Sequence, residues 1–204
     1  MPDPFRVPSG RVALVVTRSH AVGGPLCRAL AAEGARLAVA GPSLLEVSAI
    51  CAGLGRQETP GAVTALPYLM APGACGPRRL VAAVMDDLQR IDALALDALD
   101  VLDAQAAVPA AALVAAAARA MVRGGRAGRI VVTGPPRLDA QVRLWADASR
   151  AHGITVNLLV PAPGAAEDLA EDLAAGTALL LSPLARGITG QAIEVHGSGV
   201  PRRP

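Results

Sequence analysis

The sequence predicts a doubly wound α/β domain, a parallel sheet covered by helices on both faces. Apolar runs of strand length alternate with helix-length segments along nearly the whole chain. The strand runs are apolar throughout instead of alternating, as expected for strands buried on both faces. The chain has 204 residues, 52% of them hydrophobic, which suffices for one domain with a sizeable core. Only 1% are aromatic, so alanine, leucine and valine must fill that core.

The elements follow in order. Val12 to Val16 is an apolar run of buried-strand length, and residues 26–32, ending at Glu33-Gly34, read as a helix. Residues 36–40 form a second strand, and Pro42-Ser43 opens a helix over 44–54. A loop at 55–61 precedes a strand at 62–66, and the Gly/Pro-rich stretch 72–77 is a turn. Residues 80–88 are helical and 91–96 a strand. The alanine-rich run 106–122 is a helix. Strand 129–133, helix 138–151, strand 155–160, helix 165–181 and strand 191–195 complete the alternation. Residues 1–10 read as an N-terminal extension, 11–199 as the domain and 200–204 as a C-terminal tail. Residues 198 and 199 share the looseness of that tail.

Composition excludes several classes. Net charge is +2, the arginines are scattered, and there are almost no aromatics for base stacking, which argues against nucleic acid. No apolar run approaches a membrane span, and the N-terminus has no signal-peptide core, so a cytoplasmic protein is expected. Cys27, Cys51 and Cys75 are widely spaced, with no CxxC pair and no nearby histidine, so buried thiols are expected and a metal site is not. All 19 Lys+Arg residues are arginine. Any mechanism that needs a lysine is excluded within this chain.

The segment from Val12 to Gly23 has the shape of a nucleotide-binding strand-turn-helix. Glycines in such a turn let a pyrophosphate approach the backbone. Here the turn carries Thr17, Arg18, His20 and Ala21.

Several pieces further along resemble the short-chain dehydrogenase/reductase family. They are Ala32 to Gly41, Gln89 to Leu94, Gly128 to Val132, His152-Gly153-Ile154-Thr155-Val156-Asn157, and Ser182 to Gly197 through Ile188-Thr189-Gly190-Gln191. The resemblance runs from Arg11 to Gly199 and implies a Rossmann-like sheet. The family turn Thr-Gly-x-x-x-Gly-x-Gly, laid on Val16 to Gly23, puts its glycines at Thr17, Ala21 and Gly23. Only the last survives, the one that serves helix–strand packing. Where the family offers a charged residue to the adenosine ribose, this chain has Gly41-Pro42. The family's Asn-Asn-Ala-Gly falls on Leu96-Asp97-Ala98-Leu99. The family's serine and Tyr-x-x-x-Lys are missing, because Thr133-Gly134-Pro135-Pro136-Arg137 leads directly into the next helix at Leu138. The segment after Pro161-Ala162-Pro163-Gly164 is also cut short, so the domain reads as truncated at one end of its sheet.

Other residues invite weaker functional readings. His20 reads as solvated, and Arg18 as a charge that attracts phosphate. Thr133 is a hydroxyl with no nearby base. Asp86-Asp87 and Glu171-Asp172 read as solvated helix faces, since neighbours in a helix point apart. Asp97, Asp100 and Asp103 are spaced to share a helical face. His196 stands where the family has an aspartate and reads as structural or interfacial.

Taken together, the resemblance implies a degenerate family member that is not an enzyme. It would bind no cofactor or metal and have no catalytic residues. Its expected role is the non-catalytic structural or regulatory subunit of a hetero-oligomer, a heterodimer or heterotetramer with a catalytically competent short-chain dehydrogenase/reductase. The apolar helix 106–122 and helix 138–151, the family's main dimer interface, would form the contact. One alternative is an NAD(P)-dependent oxidoreductase with an unconventional site. Another is a homodimeric ligand-binding regulator.

Overall fold

A computed structural model describes residues 10–18, 20–55, 64–70, 75–99, 104–162 and 169–197, with backbone only at 104–109. Seven strands form one sheet: β1 (Val12–Val16), β2 (Arg36–Gly41), β3 (Ala65–Leu69), β4 (Ala93–Asp97), β5 (Arg129–Thr133), β6 (Thr155–Pro161) and β7 (Ala192–Val195). Every pairing is parallel, in the order β3-β2-β1-β4-β5-β6-β7. The helices are α1 (His20–Ala32), α2 (Leu44–Leu54), α3 (Gly76–Leu88), α4 (Ala104–Arg123), α5 (Asp139–Arg150) and α6 (Leu169–Leu181). The doubly wound α/β fold is therefore the one the alternation predicts.

The two faces of the sheet are packed differently. Leu14, Leu94, Leu96, Ile130 and Val132 face α3, α4 and α5, with Leu80, Val84, Leu113 and Val142 against them. On the other face Ala13, Ala93 and Ala95 meet α1 and α6, with Leu26, Leu30 and Leu173. Small strand residues let those two helices close over the sheet centre. With so few aromatics, the core reaches density by seating aliphatic helix residues on alanine-lined strands.

Most boundaries hold or shift by a residue or two, and four differences from the sequence reading have a physical reason. Helix α1 starts at His20, ahead of the 26–32 helix of the sequence reading, and takes in Gly23-Gly24-Pro25. Both glycines are buried inside the helix, so they serve packing there. Strand β3 lies at 65–69 instead of 62–66 and contains Pro67. It is an edge strand, where a missing N–H is tolerated. Helix α3 begins at Gly76 with Pro77 in its first turn, a position that suits proline. Asp97 ends β4 and so belongs to a strand, not to a helical face with Asp100 and Asp103, which lie outside the described residues. The terminal extensions, most of the 55–61 loop, residues 71–74 of the following turn and the start of the predicted 165–181 helix also lie outside them.

Two polar contacts anchor the amino ends of the strands. Asp92, 5% exposed, accepts the Val12 N–H at 2.9 Å and the Arg90 guanidinium through Nε at 2.6 Å. Arg129, 7% exposed, donates from Nε to the Ser182 carbonyl at 2.8 Å, just beyond the last turn of α6. A cation here complements the negative end of that helix.

Candidate functional site

In an open parallel sheet, ligands bind beyond the carboxyl ends of the strands, where the strand order reverses. Here that point lies between β1 and β4. Thr17 follows β1, Asp97 ends β4, and Thr133 ends β5. Register pairs Asp97 with Thr133 directly. Thr17 and Thr133 are buried and Asp97 half-buried. The Thr17 hydroxyl donates to Asp97 Oδ2 at 3.4 Å, and the Leu99 N–H donates to Asp97 Oδ1 at 3.1 Å. The Ala98 N–H donates to the Thr133 carbonyl at 2.7 Å, which extends the β4–β5 ladder past the carboxylate. The carboxylate is thereby oriented at the centre of the sheet's carboxyl edge.

Thr17 also explains two glycines. A β-carbon on Gly23 would lie 2.5 Å from Thr17 Cγ2, and one on Gly41 would lie 2.6 Å from the Thr17 carbonyl oxygen. Gly23 lets α1 close over the threonine side chain. Gly41, read from sequence only as a lost ribose contact, lets β2 pass the threonine backbone. Beneath the turn, Thr17, Asp97, Thr133 and Thr177 border a cavity of about 10 Å³, closed by Leu173 and Ala174 of α6. That is room for a single water. A ligand must lie above this edge instead of inside it.

The turn has features that suit a phosphate. His20 and Ala21, the first residues of α1, are exposed, as is Arg18 beside them, and α1 has no acidic residue in its first turn. The positive end of the helix dipole attracts an anion at such an end. Ala21 is exposed, so its methyl group is not wedged into the core. Positive charge is thus presented at this edge, while the Ala21 methyl stands where a glycine would leave space for a pyrophosphate. No carboxylate lies among Gly41, Pro42 and Ser43 at the end of β2. The Ser43 side chain accepts from Glu46 N and caps α2.

The remaining candidates lie elsewhere. Tyr68 is on edge strand β3, far across the sheet from β5, and donates to Asp87 Oδ2 at 2.9 Å. Burial and that carboxylate push its pKa above the usual phenol range. Asp86 and Asp87 are both exposed, and Glu171 pairs with Arg28 at 3.0 Å. His196 lies 3.7 Å from Glu194, both exposed. Cys27 is buried, Cys51 half-buried and Cys75 exposed, so not all three thiols are buried as expected. Burial pushes Cys27 up to about 12 and Cys51 to about 11, which keeps both as thiols at neutral pH. Between β5 and α5 there is only Gly134, Pro135 and a short 3-10 turn at Pro136–Leu138. Asp97 lies at the end of β4, as its place in the Leu96-Asp97-Ala98-Leu99 match implies, and not on a helical face with Asp100 and Asp103. Its local signal was its position at the end of the Ala-Leu-Ala-Leu run.

No family model matches the sequence. No curated protein matches it either. Solved structures do. A short-chain type dehydrogenase/reductase from Mycobacterium marinum is 22% identical, with 98% of each chain covered and a TM-score of 0.79. One from Mycobacterium ulcerans is 22% identical over 93% of this chain and 89% of its own, with a TM-score of 0.76. An NAD+-bound xylitol dehydrogenase is 17% identical over 93% of this chain and 99% of its own, also with a TM-score of 0.76. At these identities the fold is what is shared, and this chain has the fold of the short-chain dehydrogenase/reductases.

These neighbours correct the expectation that the chain is not an enzyme. The structures that superpose on it over nearly their whole length are named as dehydrogenases and reductases. The expectation rested on family side chains missing at the β1 turn, after β2 and β4, and between β5 and α5. The fold brings other polar groups to the same edge of the sheet, from strands far apart in sequence. Among the described residues no helix is long and apolar enough to cross a membrane.

Proposed function

We propose that the chain is an oxidoreductase of the short-chain dehydrogenase/reductase type that uses NAD(P) with an unconventional site. The observation that supports this most is the gathering of Thr17, Asp97 and Thr133 at the point where strand order reverses, in a fold shared with named dehydrogenases. The charge of Arg18 and the positive end of the α1 dipole attract the dinucleotide phosphates. The absence of a carboxylate after β2 leaves a 2′-phosphate unrepelled, so NADPH is accepted. When bound, the cofactor supplies or takes up a hydride. The chain's own residues then have to move a proton, and Asp97 is the ionisable side chain in position to do so. Thr17 and the Leu99 N–H fix its carboxylate, and Thr133 offers a hydroxyl beside it in register.

Titration calorimetry with NADPH and NADH, followed by turnover with a panel of aldehydes and ketones, tests this reading. Asp97→Asn keeps an acceptor for the Leu99 N–H and should leave cofactor affinity unchanged. It should lower kcat by about 10²–10⁴, the usual worth of a positioned acid or base. Absence of binding by either cofactor would overturn the proposal.

We also read the outer face of α4 and α5 as the seat of a second subunit, either another copy or a different family member. Val122 and Leu144 are 37% and 64% exposed there, and Trp145 lines a groove of about 460 Å³. Exposed apolar surface of this kind commonly marks an interface. Light scattering should give at least a dimer mass for the protein from its native host. A monomer mass would exclude this pairing.

A further inference from the structure

A second groove, of about 590 Å³, runs between the outer faces of α3 and α4. Arg78, Val81, Met85 and Asp86 line it from α3, and Arg119 and Arg123 from α4. The α3 spacing is that of one helical stripe, and Arg119 and Arg123 are one turn apart. Val81 is buried and Met85 half-buried, so the floor is apolar. The three arginines are exposed at its walls.

What distinguishes the arginines of this groove is that three of them share one cavity; the lack of a side-chain partner among the described residues they have in common with Arg11, Arg36, Arg79, Arg126, Arg137 and Arg186. Arg28, Arg90, Arg143 and Arg150 each reach a carboxylate. Arg78, Arg119 and Arg123 make no ion pair or hydrogen bond through their side chains among the described residues. Asp86 lines the groove without closing on any of them. Three guanidinium groups thus face one cavity against a single carboxylate. The like charges at Arg119 and Arg123 slightly disfavour the helix that carries them. Arg123, in the last turn of α4, complements the helix dipole, but the convergence of Arg78 and Arg119 on the same cavity is answered by no ion pair among the described residues.

We propose that the groove binds a small amphipathic anion, a carboxylate or phosphate monoester with an apolar body. The guanidinium groups supply paired donors for either headgroup. Val81 and Met85 take the apolar part. The volume lies within the range of small-molecule sites. From Arg78 to Asp86 the stripe rises about 12 Å along α3, which favours an elongated ligand. The groove lies on a helical face of the sheet, so this site stands whether or not the proposed redox reaction does. Arg119 and Arg123 also border the α4–α5 groove, so binding is measured on the protein in its own oligomeric state.

Calorimetry on the full chain at low ionic strength tests the proposal, with octyl phosphate, octanoate and inorganic phosphate as probes. At least one amphiphile should bind, and whichever headgroup binds more tightly identifies the ligand class. Inorganic phosphate should bind at least tenfold more weakly, because it leaves the floor unused. The Arg78→Ala/Arg119→Ala double variant should lose tenfold or more in affinity for the amphiphile. Asp86→Asn should gain severalfold. Arg143→Ala, on another helix, should bind as the parent does. All the altered side chains are exposed, and circular dichroism confirms that each variant is folded. If no amphiphile binds, or if the double variant binds as the parent does, the proposal fails. The same holds if inorganic phosphate matches the amphiphiles.

Discussion

Replacing Gly41 by alanine should destabilise the protein by about 2–3 kcal/mol, in the upper part of the range for overpacking a filled site. The new β-carbon would lie 2.6 Å from the Thr17 carbonyl oxygen and 3.0 Å from Val47 Cγ1. The oxygen is backbone, at the end of a strand paired on both sides, and cannot swing aside as a side chain would. The β1–α1 turn must therefore move, and the contact between the Thr17 hydroxyl and Asp97 moves with it. Gly53→Ala provides the control. Nothing lies within 4 Å of a β-carbon there, in the exposed part of α2. That change should be neutral or stabilise by about 0.5 kcal/mol through helix propensity. Urea midpoints for the two variants decide the matter. Equal midpoints would show that the close approach at Gly41 does not constrain the fold.

The second large effect is expected at Arg129. Arg129→Ala should cost about 2–3 kcal/mol, since it leaves a void and takes the shorter of two donors from the Ser182 carbonyl, which keeps only the Ala185 N–H at 3.3 Å. Opposing this is relief of a buried cation. Desolvation, with Arg11 and Arg186 nearby, holds the Arg129 pKa below its usual value. Removing such a charge in favour of an apolar side chain of similar size is often close to neutral. Arg129→Met separates the two effects, because it fills the space without the charge or the donor. Alanine should therefore be clearly worse than methionine in denaturant unfolding. If alanine lowers stability by less than about 0.5 kcal/mol, within the usual range for a surface change, Arg129 does not cap α6.

The layered architecture was legible because it depends on local pattern. The Val12–Val16 and Arg129–Thr133 runs are apolar throughout, and only a sheet covered on both faces buries such strands. The short passage from Thr133 to α5 could also be read from the chain, since no segment there is long enough to carry more side chains. The edges of elements were less legible. Pro67 looked like the end of a strand, because the chain does not announce which strand lies at the edge.

The site was legible only as a set of losses. Missing glycines at Thr17 and Ala21, and a missing tyrosine–lysine pair, led to the expectation of a non-enzyme. That inference tests one arrangement of groups at fixed spacing and has no access to groups brought together from different strands. Thr17 and Asp97 are 80 residues apart, and their meeting depends on β1 lying beside β4 in register.

By itself the sequence determined the fold class, the order of strands and helices, and the residue types that fill the core. Periodicity and chain length govern those, and both act over a few neighbours. Tertiary structure decided what the exceptional residues are for. Gly23 and Gly41 make room for Thr17, Arg129 closes α6, and Asp97 stands at the centre of the sheet edge instead of on a helix. These roles come from contacts between segments distant in the chain, fixed by parallel register and helix packing, which no local pattern records.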